Sequence, residues 1–129
     1  MLGVVLGAFA SHSLKGKLSP EQLDTFQTGV RYHFYHALAL LVVAIFLYFR
    51  KTKLLILSAW LFTAGIVFFS GSLYLLAMRD WLNFEAPWLG PVTPLGGLLF
   101  IAGWAMLFLS SFQENALRNG NGNGNGHKA

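Results

Sequence analysis

The sequence contains no cysteine and very few charged side chains. Without cysteine, the chain can form neither disulfides nor thiolate metal sites. Charged residues make up 11% of its 129 positions, against roughly 25% in ordinary soluble domains. Hydrophobic residues make up 55%, more than a soluble core of this size could bury. The composition therefore predicts an integral membrane protein.

The few charges carry a basic excess, with a formal net charge of +4. In a membrane protein such an excess usually marks topology and contact with anionic headgroups. Basic and aromatic residues are not interleaved in the way that binding of single-stranded nucleic acid requires. We therefore expect the lipid bilayer, and no nucleic acid, as a partner.

Four apolar stretches predict four membrane spans, at 1–14, 32–49, 54–78 and 94–112. The third is the clearest, because a helix of its length would rise roughly 37 Å, more than the ~30 Å hydrocarbon core of a bilayer. The first is short, and we expect either a buried or re-entrant segment or part of a helix whose beginning is missing from this sequence. The sequence thus predicts an all-α, four-helix transmembrane bundle in a single domain over 1–114.

An amphipathic helix at the membrane interface is predicted over 19–31, before the second span. Ser19 is a good N-cap, Pro20 suits the first helical position and Gln22 completes a capping box. Apolar residues follow at helical spacing on one side. Gly29 is the only weak point before the span, so a bend can form there.

Charge also predicts the orientation of the chain. The loop 50–53 carries three basic residues in four and no acid. Because short loops of this kind stay in the cytoplasm, we expect this loop and the C-terminus on the cytoplasmic side of a bacterial inner membrane. The final stretch, 115–129, is rich in Asn and Gly and is expected to be a disordered tail.

Three histidines are the sharpest chemical feature of the sequence. His12, His33 and His36 are predicted to lie near the outer membrane face and are weak candidates for metal ligands. A metal site normally needs three or four ligands, and the spans contain no carboxylate to complete one, so we predict no metal and no cofactor. We favour the alternative that His12 and His36 form hydrogen bonds to the backbone or to Tyr32 at a buried helix contact.

Three further polar residues lie in the third span. Ser70, Ser72 and Tyr74 would line a polar path, bind a headgroup or, as we prefer, form interhelical hydrogen bonds. A nucleophilic serine needs a base and an orienting acid, and since the spans hold no carboxylate we predict no enzyme. The whole candidate polar cluster or ligand site comprises His12, Tyr32, His36, Ser70, Ser72 and Tyr74.

Glycines within the apolar stretches are predicted to let helices approach closely. Gly3 and Gly7 form a GxxxG pair, and Gly71 lies between two serines. The predicted packing glycines are Gly3, Gly7, Gly71, Gly96 and Gly97.

Four segments of the chain resemble the motifs of a known family. Residues 6–14 resemble LGAFGAHAL, 28–38 resemble TAxxYxxxHAL, 69–74 resemble FSGSLY, and 93–97 resemble TPxGG. In this order they resemble the small membrane proteins of domain-of-unknown-function family 423. The chain departs from the second motif at Gly29, where the motif has Ala. The resemblance implies a four-helix integral membrane protein and no established reaction, and the family's longer apolar run before the first motif implies a missing start here.

Three classes of function are compatible with these patterns. The leading hypothesis is a non-enzymatic accessory or assembly subunit of a larger membrane complex, with another membrane protein or further copies of the chain as partner. The second is a protein that binds a metal, haem or quinone at His12 and His36. The third is a small channel or transporter, although proton-coupled transport usually needs ionisable residues within the spans.

Overall fold

The computed structural model describes residues 1–83, 85 and 87–122, and of 113–122 it describes only the course of the backbone. The described chain folds into helices joined by short connections and contains no strand in these ranges. We number the helices first to fourth in chain order: Leu2–Leu14, Pro20–Phe49, Lys53–Met78 and Leu89–Gly122.

Three of the helices are long and apolar enough to cross a membrane: Pro20–Phe49, Lys53–Met78 and Leu89–Phe112. The first helix is also apolar but shorter; it is α-helical over Leu2–Phe9 and π-helical over Ala10–Leu14. The prediction of an all-α membrane protein is confirmed. A short first helix beside three full-length helices also agrees with the predicted lengths.

The second helix contains both the predicted amphipathic helix and the predicted span, without a break between them. Its capping box is formed, since the Gln22 backbone N–H donates to Ser19 Oγ at 3.2 Å and the Ser19 N–H donates to Gln22 Oε1 at 2.9 Å. No helix boundary occurs at Gly29, where the ring of Tyr74 packs against the helix.

Two other features of the helices differ from the sequence expectations. The third helix carries a π-helical segment over Ile66–Ser70, between α-helical Lys53–Gly65 and Gly71–Met78. The fourth helix contains Pro94 instead of beginning there. Pro94 is the sixth residue of this helix, beyond the first backbone N–H groups that have no intrahelical acceptor, so it removes one helical hydrogen bond. The fourth helix continues to Gly122, past the start of the predicted tail at 115, and 123–129 lie outside the described residues.

The third helix is the centre of the bundle. The second and fourth helices both pack along it, whereas their backbones approach each other closely at few points. The first helix packs on the second. Two buried clusters follow from this arrangement, one of Ala10, Leu14, Leu18, Phe26 and Ala77, and one of Ala39, Val43, Leu55, Phe62 and Phe100.

The third and fourth helices interlock through aromatic rings that lie on glycines. The Phe100 ring of the fourth helix lies on Gly65 of the third, and the Phe62 ring of the third helix lies on Gly103 of the fourth. A Cβ added at Gly103 would come within 2.7 Å of the Phe62 ring, which is overlap. These two helices therefore approach more closely than any residue with a side chain would allow at these points.

Only one of the five predicted packing glycines makes such a close approach. Gly96 lies directly on the backbone of Phe69. An added Cβ would meet ordinary contacts at Gly3, Gly7 and Gly97, at 3.5 to 3.8 Å. At Gly71 it would meet nothing within 4 Å.

The pairing of the third and fourth helices has a direct test, since the native chain contains no cysteine. The Ser72 and Thr93 hydroxyl oxygens lie 2.8 Å apart. We expect the double variant Ser72→Cys/Thr93→Cys to form an intramolecular disulfide rapidly in mild oxidant, because the two side chains already meet. Disulfide formation is measured by intact mass after alkylation, because cysteines in a disulfide are protected from the reagent. The matched pair Ser72→Cys/Ser110→Cys should stay reduced, and equal oxidation of both pairs would contradict this helix pairing.

Candidate functional site

His36 bridges the second and fourth helices. Its side chain is 6% exposed. Nδ1 lies 2.8 Å from the Tyr32 carbonyl oxygen, and Trp104 Nε1–H donates to Nε2 over 3.3 Å. Since an indole N–H can only donate, Nε2 is the acceptor and Nδ1 carries the proton. His36 is therefore a neutral imidazole whose two nitrogens are both occupied by protein groups.

Aromatic side chains enclose the imidazole of His36. The Phe100 ring stacks on it, with centroids 3.4 Å apart and planes within 6°. The Phe62 ring lies 5.6 Å away on the third helix. The Tyr32 ring lies one turn along the second helix, at 6.1 Å. This packing fixes the ring orientation that the two hydrogen bonds require.

A lateral groove opens beside His36, between the second and fourth helices. It exists because these helices pack on the third helix more than on each other. Its volume is about 510 Å³. We call it the lateral groove, lined by Tyr32, His36, Phe69, Pro94, Gly97, Leu98, Phe100, Ile101 and Trp104.

The neighbours of His36 indicate its position along the length of the bundle. Phe62, against which it packs, belongs to the middle part of Lys53–Met78. Gly29 meets Tyr74 near the C-terminal end of the third helix, and His36 lies two helical turns, about 10 Å, further along the second helix. The lateral groove is thus level with the middle of an apolar helix long enough to cross a membrane.

His33 and Tyr74 form a separate contact between the second and third helices. The Tyr74 hydroxyl lies 3.3 Å from His33 Nδ1. The Tyr74 ring packs on Gly29, and its centroid lies 4.8 Å from that of Phe26. This pair links the N-terminal half of the second helix to the C-terminal end of the third and does not line the lateral groove.

The two serines of the FSGSLY segment have different surroundings. Ser72 Oγ donates to the Phe69 carbonyl oxygen at 2.9 Å and meets the Thr93 hydroxyl. Ser70 is fully buried, and its hydroxyl has no hydrogen-bond partner among the described residues. Neither serine has a histidine as hydrogen-bond partner, so the geometry offers no base for a nucleophilic serine.

His12 lies apart from the other histidines. The first helix runs antiparallel to the second, with Gly3 beside His33 and Gly7 beside Val30. His12 consequently lies at the level of the beginning of the second helix, and its side chain is exposed. No group of three or more His, Asp or Glu side chains within the described ranges is placed to hold a metal ion. The predicted cluster is therefore divided: Tyr32 and His36 line the lateral groove, and the other members do not.

Several residues of the site were not singled out from the sequence. Phe62, Phe100 and Trp104 supply most of the contacts to His36. Ser58 Oγ donates to the buried Gly103 carbonyl oxygen at 2.9 Å and links the third and fourth helices. One signal was present, because Trp104 lies in the middle of an apolar stretch whereas tryptophans of membrane proteins concentrate at the interfaces.

Comparison with known proteins identifies relatives over most of the chain. Residues 6–97 match the family described as "Protein of unknown function (DUF423)". The UPF0382 membrane protein YwdK of Bacillus subtilis is 44% identical over 86% of this chain and 87% of its own. The UPF0382 membrane proteins of Staphylococcus haemolyticus and Haemophilus influenzae are each 42% identical, over 88% of this chain and 88% and 87% of their own.

No solved structure matches the chain. The relatives are bacterial proteins, and their shared description is of membrane proteins. The resemblance noted in four short motifs thus extends over most of the chain. The chain belongs to the DUF423 family of membrane proteins, whose function is unknown.

Proposed function

We propose that the protein is a non-enzymatic accessory or assembly subunit of a larger membrane complex, and that it meets its partner across the lateral groove. The supporting observation is the position of polar side chains at this groove. Trp104 and Tyr32 are 50% and 40% exposed, and both line the groove, level with the middle of the apolar third helix. Polar groups that face lipid are costly, and neighbouring membrane helices commonly cover them.

The rim of the lateral groove is suited to contact with a helix. Leu98 and Ile101, 65% and 67% exposed, project from the fourth helix at the groove. Gly97 lies beside them and carries no side chain that would keep a neighbouring backbone away. A partner helix laid over this rim would cover the indole and the phenol together.

The geometry gives less support to a metal or haem site and to a channel. A metal or haem iron would need a free ring nitrogen, and both nitrogens of His36 are already bonded. A channel would need a continuous polar path, and the rings of Phe62 and Phe100 fill the interface between the third and fourth helices.

Purification in a mild detergent tests the accessory role. We expect the protein to elute with a stoichiometric partner or as an oligomer, and to give one discrete adduct when native membranes are treated with an amine-reactive cross-linker. Lys51, exposed in the loop between the second and third helices, is one reactive group. A lone monomer together with no adduct would contradict the proposal.

We further propose that the loop 50–53 faces the cytoplasm of the bacterial cell. Its dense positive charge supports this orientation. The variants Lys51→Cys and Leu82→Cys place one exposed thiol each at opposite ends of the bundle in a chain without other cysteines. In intact spheroplasts, a membrane-impermeant maleimide should label Leu82→Cys and leave Lys51→Cys unlabelled. Lys51→Cys should be labelled once the membrane is permeabilised. The reverse pattern would invert the assigned topology.

A further inference from the structure

We propose that the lateral groove also holds a small lipid-soluble molecule with a flat ring and a carbonyl oxygen, the chemical class of the quinones. The inference rests on the proposed function only in using the same groove. The ligand would fill the floor of the groove, and the partner helix would cover the rim.

The size of the lateral groove favours a small molecule on its floor. Its volume of about 510 Å³ falls within the roughly 300–1,000 Å³ of small-molecule pockets. An α-helix is about 10 Å wide with its side chains, so it can lie across the rim but cannot enter. The location level with the middle of an apolar helix long enough to cross a membrane requires a ligand that dissolves in lipid.

Two hydrogen-bond donors at the lateral groove favour a carbonyl oxygen as the polar group of the ligand. Trp104 Nε1–H donates to His36 over 3.3 Å, longer than the usual N–H···O distance of about 3 Å. The Tyr32 hydroxyl has no hydrogen-bond partner within the described chain and lines the same groove. A carbonyl oxygen can accept from either donor, and it brings neither a charge nor a further hydrogen that would need a partner in hydrocarbon.

The walls of the lateral groove favour a flat ring over a simple acyl chain. Tyr32, Phe69, Phe100 and Trp104 are its aromatic lining. The Tyr32 and Phe69 rings lie 4.6 Å apart and those of Phe69 and Phe100 lie 5.5 Å apart, so these rings already support one another. Aromatic rings pack on another ring with additional electrostatic attraction, whereas a saturated chain would gain only its burial and would leave the Tyr32 hydroxyl unpaired.

Tryptophan fluorescence tests the inference, because Trp104 itself lines the lateral groove. One variant keeps Trp104 alone, through Trp60→Phe, Trp81→Phe and Trp88→Phe. The control variant keeps only Trp60, which is 70% exposed and does not line the groove. Both are placed in lipid vesicles and titrated with a decyl-substituted benzoquinone. We expect saturable quenching of Trp104, and quenching of Trp60 that rises linearly with the quinone dissolved in the lipid.

Two substitutions and one competitor identify the site and the ligand class. Gly97→Leu fills the groove and should raise the dissociation constant at least about tenfold, equivalent to about 1.4 kcal/mol. Tyr32→Phe removes only a hydroxyl without a hydrogen bond, so it should fold normally and still weaken binding. Decanol, which has the chain without the ring, should not compete.

Three results would overturn the inference: linear quenching of Trp104, saturation unchanged by both substitutions, or displacement by decanol as effective as by the quinone. Partner capture is measured without added quinone. A partner without saturable quenching would contradict only the proposed ligand. Saturable quenching without a partner would contradict only the accessory role.

Discussion

Replacing Gly96 with alanine is expected to lower the stability of the bundle by about 1–3 kcal/mol, the usual cost of overpacking a tight interface. The added methyl group would overlap the backbone nitrogen and Cα of Phe69. Backbone atoms cannot rotate away as a flexible side chain can, so the third and fourth helices would have to separate. Thermal unfolding in a mild detergent, followed by circular dichroism, measures the loss.

The neighbouring glycine provides a matched control. Gly97→Ala would place its Cβ at an ordinary 3.8 Å from the Phe69 ring. Alanine also favours a helix interior by up to about 1 kcal/mol over glycine. We therefore expect Gly97→Ala to be neutral or stabilising. Equal melting temperatures for the two variants would show that the fourth helix does not pack on Phe69 as described.

Replacing His36 with alanine is expected to lower stability by about 2–4 kcal/mol, as for other large buried side chains. The change removes the hydrogen bonds to Tyr32 and Trp104, and it leaves a cavity against the Phe100 ring. The same thermal measurement applies. His12→Ala should change stability by less than about 0.5 kcal/mol, because that side chain is exposed.

A third histidine variant separates packing from hydrogen bonding. His36→Phe keeps a flat ring to stack on Phe100 and loses both hydrogen bonds. We expect a stability between those of the native protein and His36→Ala. If His12→Ala and His36→Ala were equally destabilising, the central position assigned to His36 would be wrong.

The helices could be predicted from the sequence because their signals are local. The capping box at Ser19 and Gln22 is formed as the spacing predicts. The absence of charge over 54–78 predicts the third helix. The π-helical segment Ile66–Ser70 has no such local signal. It lies where the third helix packs on both the second and fourth helices, so it depends on contacts distant in sequence.

The site could be predicted only in part, for a related reason. His36 and Tyr32 lie on one helix, so their contact follows from helical spacing. The contacts of His36 with Phe62 and Trp104 depend on how three helices are aligned, and apolar stretches do not encode that alignment in any local pattern. For the same reason, a sequence identifies Gly96 as a glycine but does not reveal that it faces a backbone.

The glycines illustrate what a motif omits. Gly3 and Gly7 form a recognisable GxxxG pair, yet an added Cβ at either would meet only ordinary contacts. Gly65 and Gly103 belong to no such pair, and aromatic rings lie directly on both. Because the tight contacts are made by rings from the neighbouring helix, the spacing of glycines along one helix does not predict them.

The central claim is that the lateral groove is the surface through which the protein meets its partner. A photo-cross-linking residue placed at Leu98, at the rim, tests it in living cells. Val67 provides the control, since it lies at the same depth on another face and is similarly exposed, at 62% against 65%. The account predicts one discrete protein adduct from Leu98 and none from Val67; adducts of equal yield from both positions, or from neither, would contradict it.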